Sequence, residues 1–263
     1  MMNGGTDIDL EMANVQMSGT EGKSDQVRQV FTDASKYLKS RQVDIRFRAE
    51  TVKAFAANVE WQRLLDIGCG DGTISLQLLK PASHLTLLDL SANMAAIAKS
   101  NVPEDFAANV EVRNENFIEA SFDSQLFDLV VTVGVMAHVD SPDMFLAKIS
   151  DLLRPNGRLI IEFTDSRHFV GQLNRFWGRL KEVVAPPKYH TNRLSFSDVA
   201  PLFASHHLKL VSTFRYARIP LPGIDRIVSH RMQHRIAELI FGNCSNNKNA
   251  WLGNEYILLL SAD

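Results

Sequence analysis

Between residues 60 and 165 the chain alternates short, mostly apolar runs with segments whose apolar residues recur at helical spacing. Residues 62–67, 85–88, 127–133 and 158–163 are runs of the first kind, and residues 109–115 alternate at Val110 and Val112. Each of these predicts a strand. The continuous apolarity of Leu85 to Leu88 predicts a parallel strand covered on both faces. The second kind predicts helices over residues 72–79, stopped before Pro81, and over residues 92–99, capped by Ser91. A further helix starts at Ser141 and Pro142 and carries Phe145, Leu146, Ile149, Leu152 and Leu153 on one face. Pro155, Asn156 and Gly157 read as a turn. Strands that alternate with helices in this way predict βαβ units and a doubly wound, mostly parallel α/β sheet.

The flanks read differently. Residues 1–24 hold Asp7, Asp9 and Glu11 where a secretory signal is basic and then apolar, and read as a flexible leader. Residues 25–58 read as helical, with Val27, Val30, Phe31 and Tyr37, then Val52, Phe55 and Val59, at helical spacing. They form either a solvated face or a lid from which Tyr37, or an arginine such as Arg46, reaches a ligand. Residues 165–193 carry Phe169, Phe176 and Trp177, which either line an apolar acceptor pocket or, the reading leaned toward, belong to the core, and then Pro186 and Pro187. A helix over 195–205, a strand over 208–216, an amphipathic helix over 224–241 and a strand over 256–260 complete the pattern. The expected organisation is one domain over 25–263. It comprises an N-terminal helical lid, a ligand-binding core over 60–165, an acceptor lid with a late strand over 166–250, and a final strand over 251–263.

Composition narrows the partners. The chain has 263 residues, 45% of them hydrophobic and 22% charged, with a net charge of -2, so no global positive field draws nucleic acid or anionic lipid. Cys69 and Cys244 are too few for a disulfide framework and suit a reducing compartment. No apolar run approaches the roughly 18 residues of a membrane span. A cytoplasmic protein, monomeric or homodimeric, is expected.

The chemistry centres on the stretch from Leu64 to Thr73. An apolar run ends at Asp66 and Ile67 and passes into a glycine-dense turn. Gly68 and Gly70 fit the first two glycines of the dinucleotide fingerprint, but Thr73 stands where the third is required, and Gly72 falls one position early. A pyrophosphate wants bare backbone N–H groups, whereas Asp66 and Asp71 flank these glycines and repel phosphate. They attract a cationic cofactor bearing an ammonium group. S-adenosylmethionine has both charges, a ribose and no phosphate. Asp89, ending the second strand, suits the two ribose hydroxyls; the alternative is an acid stabilised by the following helix dipole.

These residues resemble the first motif of class I S-adenosylmethionine-dependent methyltransferases. The resemblance continues through Leu87 to Ser91, Phe127 to Val130, Gly134 to Val139 and Leu152 to Leu159. It implies a Rossmann-like, seven-stranded sheet with its last strand antiparallel. It further implies that Asp66 and the carbonyls near Gly68 hold the methionyl ammonium, and that the turn of Gly68, Cys69, Gly70, Asp71 and Gly72 approaches the cofactor closely. Asp89 is implied to bind the ribose, Leu90 and Met94 to pack on the adenine, and Phe117, Gly134 and Val135 to line the same site. Asn116 either meets the adenine amino group or is a turn asparagine. Cys69 reads as a small residue in a tight turn rather than a nucleophile.

Methyl transfer from a sulfonium is an in-line displacement that draws on proximity and orientation. A base is needed only where the acceptor must lose a proton. His138, after the fourth strand, and His190, in the loop after Pro187, are the candidates. No Asx-Pro-Pro-aromatic turn follows the fourth strand, which disfavours amino methylation of bases. No acid precedes Asp140 there, and His84, His206 and His207 read as surface residues without ligand spacing, which disfavours a metal. A small-molecule acceptor, methylated on oxygen or nitrogen, is expected. The alternatives are a nicotinamide-dependent oxidoreductase and a non-catalytic module that binds S-adenosylmethionine.

Overall fold

The computed structural model describes residues 42–122, 126–172, 192–217 and 228–263. The central sheet has seven strands: β1 Arg63–Ile67, β2 His84–Asp89, β3 Val110–Asn114, β4 Phe127–Thr132, β5 Leu153–Thr164, β6 Leu208–Tyr216 and β7 Glu255–Ala262. Their order across the sheet is β3-β2-β1-β4-β5-β7-β6. The strands from β3 to β5 pair in parallel, and β7 runs antiparallel to both β5 and β6. The doubly wound sheet with its last strand antiparallel is thus as the sequence and its resemblance predict. That strand lies between β5 and β6 rather than at the sheet's edge.

Helices cover both faces. They are α1 Gln42–Ala56, α2 Thr73–Leu76, α3 Ala92–Ser100, α4 Pro142–Leu152, α5 Phe196–Ser205 and α6 His230–Phe241. One apolar layer packs Phe145 and Ile149 of α4 and Val199 and Phe203 of α5 against Leu65, Val130, Leu159 and Leu258. The other packs Phe47, Val52 and Phe55 of α1, Ala98 of α3 and Phe241 of α6 against Leu64, Leu129, Ile160 and Ile257. The two sets of strand residues are one position apart, as the two faces of a pleated strand require. Filling both faces explains why adjacent residues such as Leu64 and Leu65, Leu129 and Val130, and Leu159 and Ile160 are all apolar rather than alternating.

The caps fall where the sequence puts them: Ser91 Oγ accepts Met94 N–H of α3, and Ser141 Oγ accepts Met144 N–H of α4, with Pro142 in the first turn. Two boundaries differ. Helix α2 ends at Leu76 instead of Leu79, because the chain passes into tighter bonds, Leu78 N–H to Ser75 O and Leu79 N–H to Leu76 O, ahead of Pro81. The turn at Pro155 to Gly157 lies within β5, where Asn156 takes φ 63° and the register against β4 shifts. Residues 1–41, with the leader and Tyr37, fall outside the described residues, as do Phe176, Trp177 and His190. No described helix is long and apolar enough to cross a membrane.

Strand order reverses between β1 and β4. In an open α/β sheet this switch point opens a crevice at the carboxyl ends of the strands. The loops that leave β1 and β4 meet there.

Candidate active site

The β1 turn is pressed against the β4 turn. Gly68 has φ +73°, and a Cβ built on it would stand 2.4 Å from Val135 Cγ2, so only glycine lets the two loops meet. Between and around them lies a cleft enclosing about 1160 Å³ of space, part of it open to solvent. Its walls include Gly68, Cys69, Gly70, Asp71, Asp89, Leu90, Met94, Asn116, Phe117, Gly134, Val135 and His138. The predicted residues of four separate segments therefore converge on one cavity.

Hydrogen bonding within the turn decides what the cavity can hold. Gly68 N–H and Cys69 N–H donate to Leu88 O at 2.8 and 3.1 Å. Gly70 N–H donates to Asp89 Oδ2 at 2.8 Å, Gly72 N–H to Cys69 O at 3.0 Å, and Thr73 N–H to Asp71 Oδ1 at 3.1 Å. The donors that a pyrophosphate would require are committed inside the protein. The ionisable walls add to this: Asp71, Asp89, Glu115 and Asp140 line the cleft together with Arg48. That field opposes phosphate and favours a cation.

Asp89 is the pivot. Its Oδ1 accepts Ser91 N–H at 2.8 Å while its Oδ2 accepts Gly70 N–H. Burial pushes its carboxyl above the ordinary range, and these two N–H groups offset part of that. Each oxygen keeps a lone pair for a ligand hydroxyl. Opposite, Met94 and Phe117 are buried, and Phe117 stands edge-on to Phe145 with ring centres 5.2 Å apart. Leu90 and Ile118 complete a slot for a flat ring. Asn116 takes the turn role of its two sequence readings and also lines the cleft. Its Oδ1 accepts Ile118 N–H at 3.1 Å within a turn.

Asp66 is placed differently from the others. It is buried behind the turn and is not part of the cleft wall. Its Oδ2 has no hydrogen-bond partner, and burial raises its pKa to about 7, with Ser75 pulling down and the negative charge of Asp89 pushing up. A buried acid with an orphaned oxygen beside a cleft suits a cation arriving nearby. Cys69 is also buried, and desolvation, followed by Asp66 and Asp89, pushes its thiol well up, which opposes thiolate chemistry.

Arg46 is a correction. It points away from the cleft and pairs through Nε with Glu50 Oε1 at 2.9 Å, while Glu50 Oε2 lies 3.1 Å from His234 Nε2 of α6. Residues two apart on a helix lie about 200° apart around it, so Arg48 of the same helix faces the other way. Arg48 lines the cleft, with Nη1 and Nη2 3.2 and 3.4 Å from a Cβ built on Gly134, whose φ is +76°. Of this segment's arginines the sequence reading singled out Arg46, whereas it is Arg48 that lines the cleft. Phe169 is a second correction: it is exposed and stacks on Trp251 at 6.1 Å instead of entering the core. His206 is a third: its side chain is 18% exposed and pairs with Asp143 at 2.7 Å.

The switch-point cleft, the acid at the end of β2 and the seven-stranded order together define a class I, Rossmann-like methyltransferase fold. Residues 65–161 match the family model of a methyltransferase domain. The ubiquinone biosynthesis O-methyltransferase of Schizosaccharomyces pombe is 31% identical over 113 residues, covering 43% of this chain and 41% of that protein. This chain thus spans less than half the length of that relative. Among solved structures, an S-adenosylmethionine-dependent methyltransferase from Thermotoga maritima superposes with a TM-score of 0.60 at 18% identity, covering 90% of this chain and 99% of that one. Magnesium protoporphyrin IX methyltransferase from Synechocystis with bound S-adenosylhomocysteine gives 0.61 at 15% identity, covering 92% and 100%.

Proposed function

We propose that the chain is a methyltransferase that moves a methyl group from S-adenosyl-L-methionine to an oxygen or nitrogen of a small molecule, by in-line displacement and without a metal. The observation that carries this reading is the commitment of the turn's N–H groups. With Gly68, Cys69, Gly70 and Gly72 bonded inside the protein, the site is built for a ribose and a cation and against a diphosphate.

When bound, the cofactor supplies a methyl carbon on a sulfonium, which an acceptor lone pair attacks opposite the departing sulfur. The residues of the chain bind and orient. Asp89 takes the ribose hydroxyls; Leu90, Met94, Phe117 and Ile118 sandwich the adenine, with Asn116 at its edge. Asp66 faces the methionyl ammonium electrostatically from behind the turn, and Arg48, over Gly134, takes the methionyl carboxylate. The Gly134 and Val135 turn shapes the passage to the acceptor. His138 stands on the cleft wall after β4, where it orients the acceptor or removes its proton. An oxygen acceptor is supported by the fission yeast relative, named as an O-methyltransferase. Two cysteines without a disulfide fit a reducing compartment, and the cytoplasm is the proposed location.

The test is mass-spectrometric detection of S-adenosylhomocysteine released in the presence of small phenols, carboxylic acids and amines. Release that depends on one acceptor class supports the reading. Tight cofactor binding with no turnover on any class points instead to a non-catalytic module.

A further inference from the structure

Glu162 is out of place by the logic of its strand. It follows Leu159, Ile160 and Ile161 and precedes Phe163, all buried, and is itself 1% exposed. Two groups meet it. Tyr216 of β6 donates its O–H to Glu162 Oε1 at 3.0 Å. Arg48 of α1 brings Nε to 2.7 Å from Oε2. This second contact is an ion pair without an aligned hydrogen bond, since neither atom completes one. Tyr216 is buried, and burial together with the charge of Glu162 keeps its phenol protonated and donating.

A buried ion pair is costly to assemble, and an apolar replacement is often as stable. Stability therefore gives this pair little reason to exist. Its position does. Arg48 reaches Glu162 through Nε, which turns Nη1 and Nη2 toward Gly134 and the cleft. The chain Tyr216–Glu162–Arg48 runs from β6 through β5 to the helix over the cleft. Along it, each group fixes the next.

We propose that Glu162 is a positioning residue for the cofactor: held by Tyr216, it orients the Arg48 guanidinium over Gly134 so that the guanidinium meets the cofactor's α-carboxylate. This rests on the reading of Arg48 given above. Glutamine at 162 keeps an acceptor for Tyr216, removes the charge that anchors Arg48, and turns an amide toward the guanidinium.

The experiment is calorimetric titration of the full chain and of E162Q, Y216F and R48Q, each with two ligands. S-adenosylhomocysteine carries the amino-acid end; 5′-methylthioadenosine keeps the adenosine and the thioether and lacks it. For E162Q the expected result is a loss of about tenfold for S-adenosylhomocysteine, the size of one charge-assisted hydrogen bond, with 5′-methylthioadenosine within about twofold. Y216F shows a smaller loss with the same selectivity. A loss shared equally by both ligands, or no loss, marks Glu162 as purely structural and overturns the proposal. R48Q separates the two levels. Selective loss in R48Q without it in E162Q removes the role of Glu162 alone, whereas no selective loss in R48Q removes the Arg48 reading and the proposal with it. If E162Q does not fold, Y216F decides by the same criterion.

Discussion

Asp89 closes the glycine turn that it follows by 19 residues: its Oδ2 accepts Gly70 N–H at 2.8 Å. One carboxylate thus shapes the loop and faces the ligand. Replacing it with alanine removes both functions. D89A is expected to weaken S-adenosylhomocysteine by about 30- to 1000-fold, the range spanned by one or two charged hydrogen bonds. D89N keeps one acceptor and sets its amide against a backbone N–H, and falls between. Calorimetry at fixed salt reads both; an affinity unchanged in D89A contradicts the ribose assignment.

Asp66 couples cofactor binding and stability to pH. Its folded pKa, about 7, lies above the ordinary aspartate value of 3.8, so the folded protein holds a proton that the unfolded chain loses. Stability is unaffected below the unfolded value, falls as pH rises from about 4 to about 7, and is level beyond that. The loss is on the order of 4 kcal/mol for this group. Glu255, also raised to about 7 by burial and by Glu162, moves the same way, so the informative quantity is the difference between proteins. Urea midpoints at pH 5 and pH 8 are expected to differ much less in D66N than in the parent. A cation bound nearby favours the ionised form, so binding near pH 7 releases a fraction of a proton. Calorimetry in buffers of different ionisation heat detects it, and D66N abolishes it.

Gly68 tests the packing of the two loops. Alanine there meets Val135 Cγ2 and an unfavourable φ together. G68A is expected to lose about 2–4 kcal/mol of stability, combining a left-handed backbone penalty with overpacking, and to lose cofactor binding. Chemical denaturation is the measure, and a stability change under about 0.5 kcal/mol would contradict the packing.

Arg46 and His138 are expected to leave cofactor affinity alone. Arg46 sits in an exposed i,i+4 pair with Glu50, worth about 0.3–0.5 kcal/mol, and R46A is expected to bind S-adenosylhomocysteine within about twofold of the parent. H138A is expected to bind it equally well and to turn over about a hundredfold more slowly where the acceptor must lose a proton. Equal turnover with an ionisable acceptor assigns His138 an orienting role only.

The sheet was legible because its central strands are buried on both faces, so mostly apolar runs recur between helical segments. The turn lining the cleft was legible because glycines and flanking acids interrupt the strand that precedes them. The antiparallel β7 came from family resemblance, since nothing within residues 255–262 encodes direction. Which of Arg46 and Arg48 faces the cleft was not legible, because both lie in one basic segment and helical phase relative to the sheet is a tertiary property. Glu162 did carry a signal, a lone acid in the run from Leu159 to Phe163. Its partners, Arg48 and Tyr216, lie far away in sequence and only the fold brings them together.

This cleft is proposed to take a cationic, phosphate-free nucleoside cofactor. The direct measurement is the melting temperature of the full chain with S-adenosylhomocysteine and, separately, with NAD. At a ligand concentration about 100 times its dissociation constant, S-adenosylhomocysteine is expected to add about 2.7 kcal/mol and raise the midpoint by roughly 5–10 °C, while NAD leaves it unchanged. A rise with NAD and none with S-adenosylhomocysteine contradicts the account.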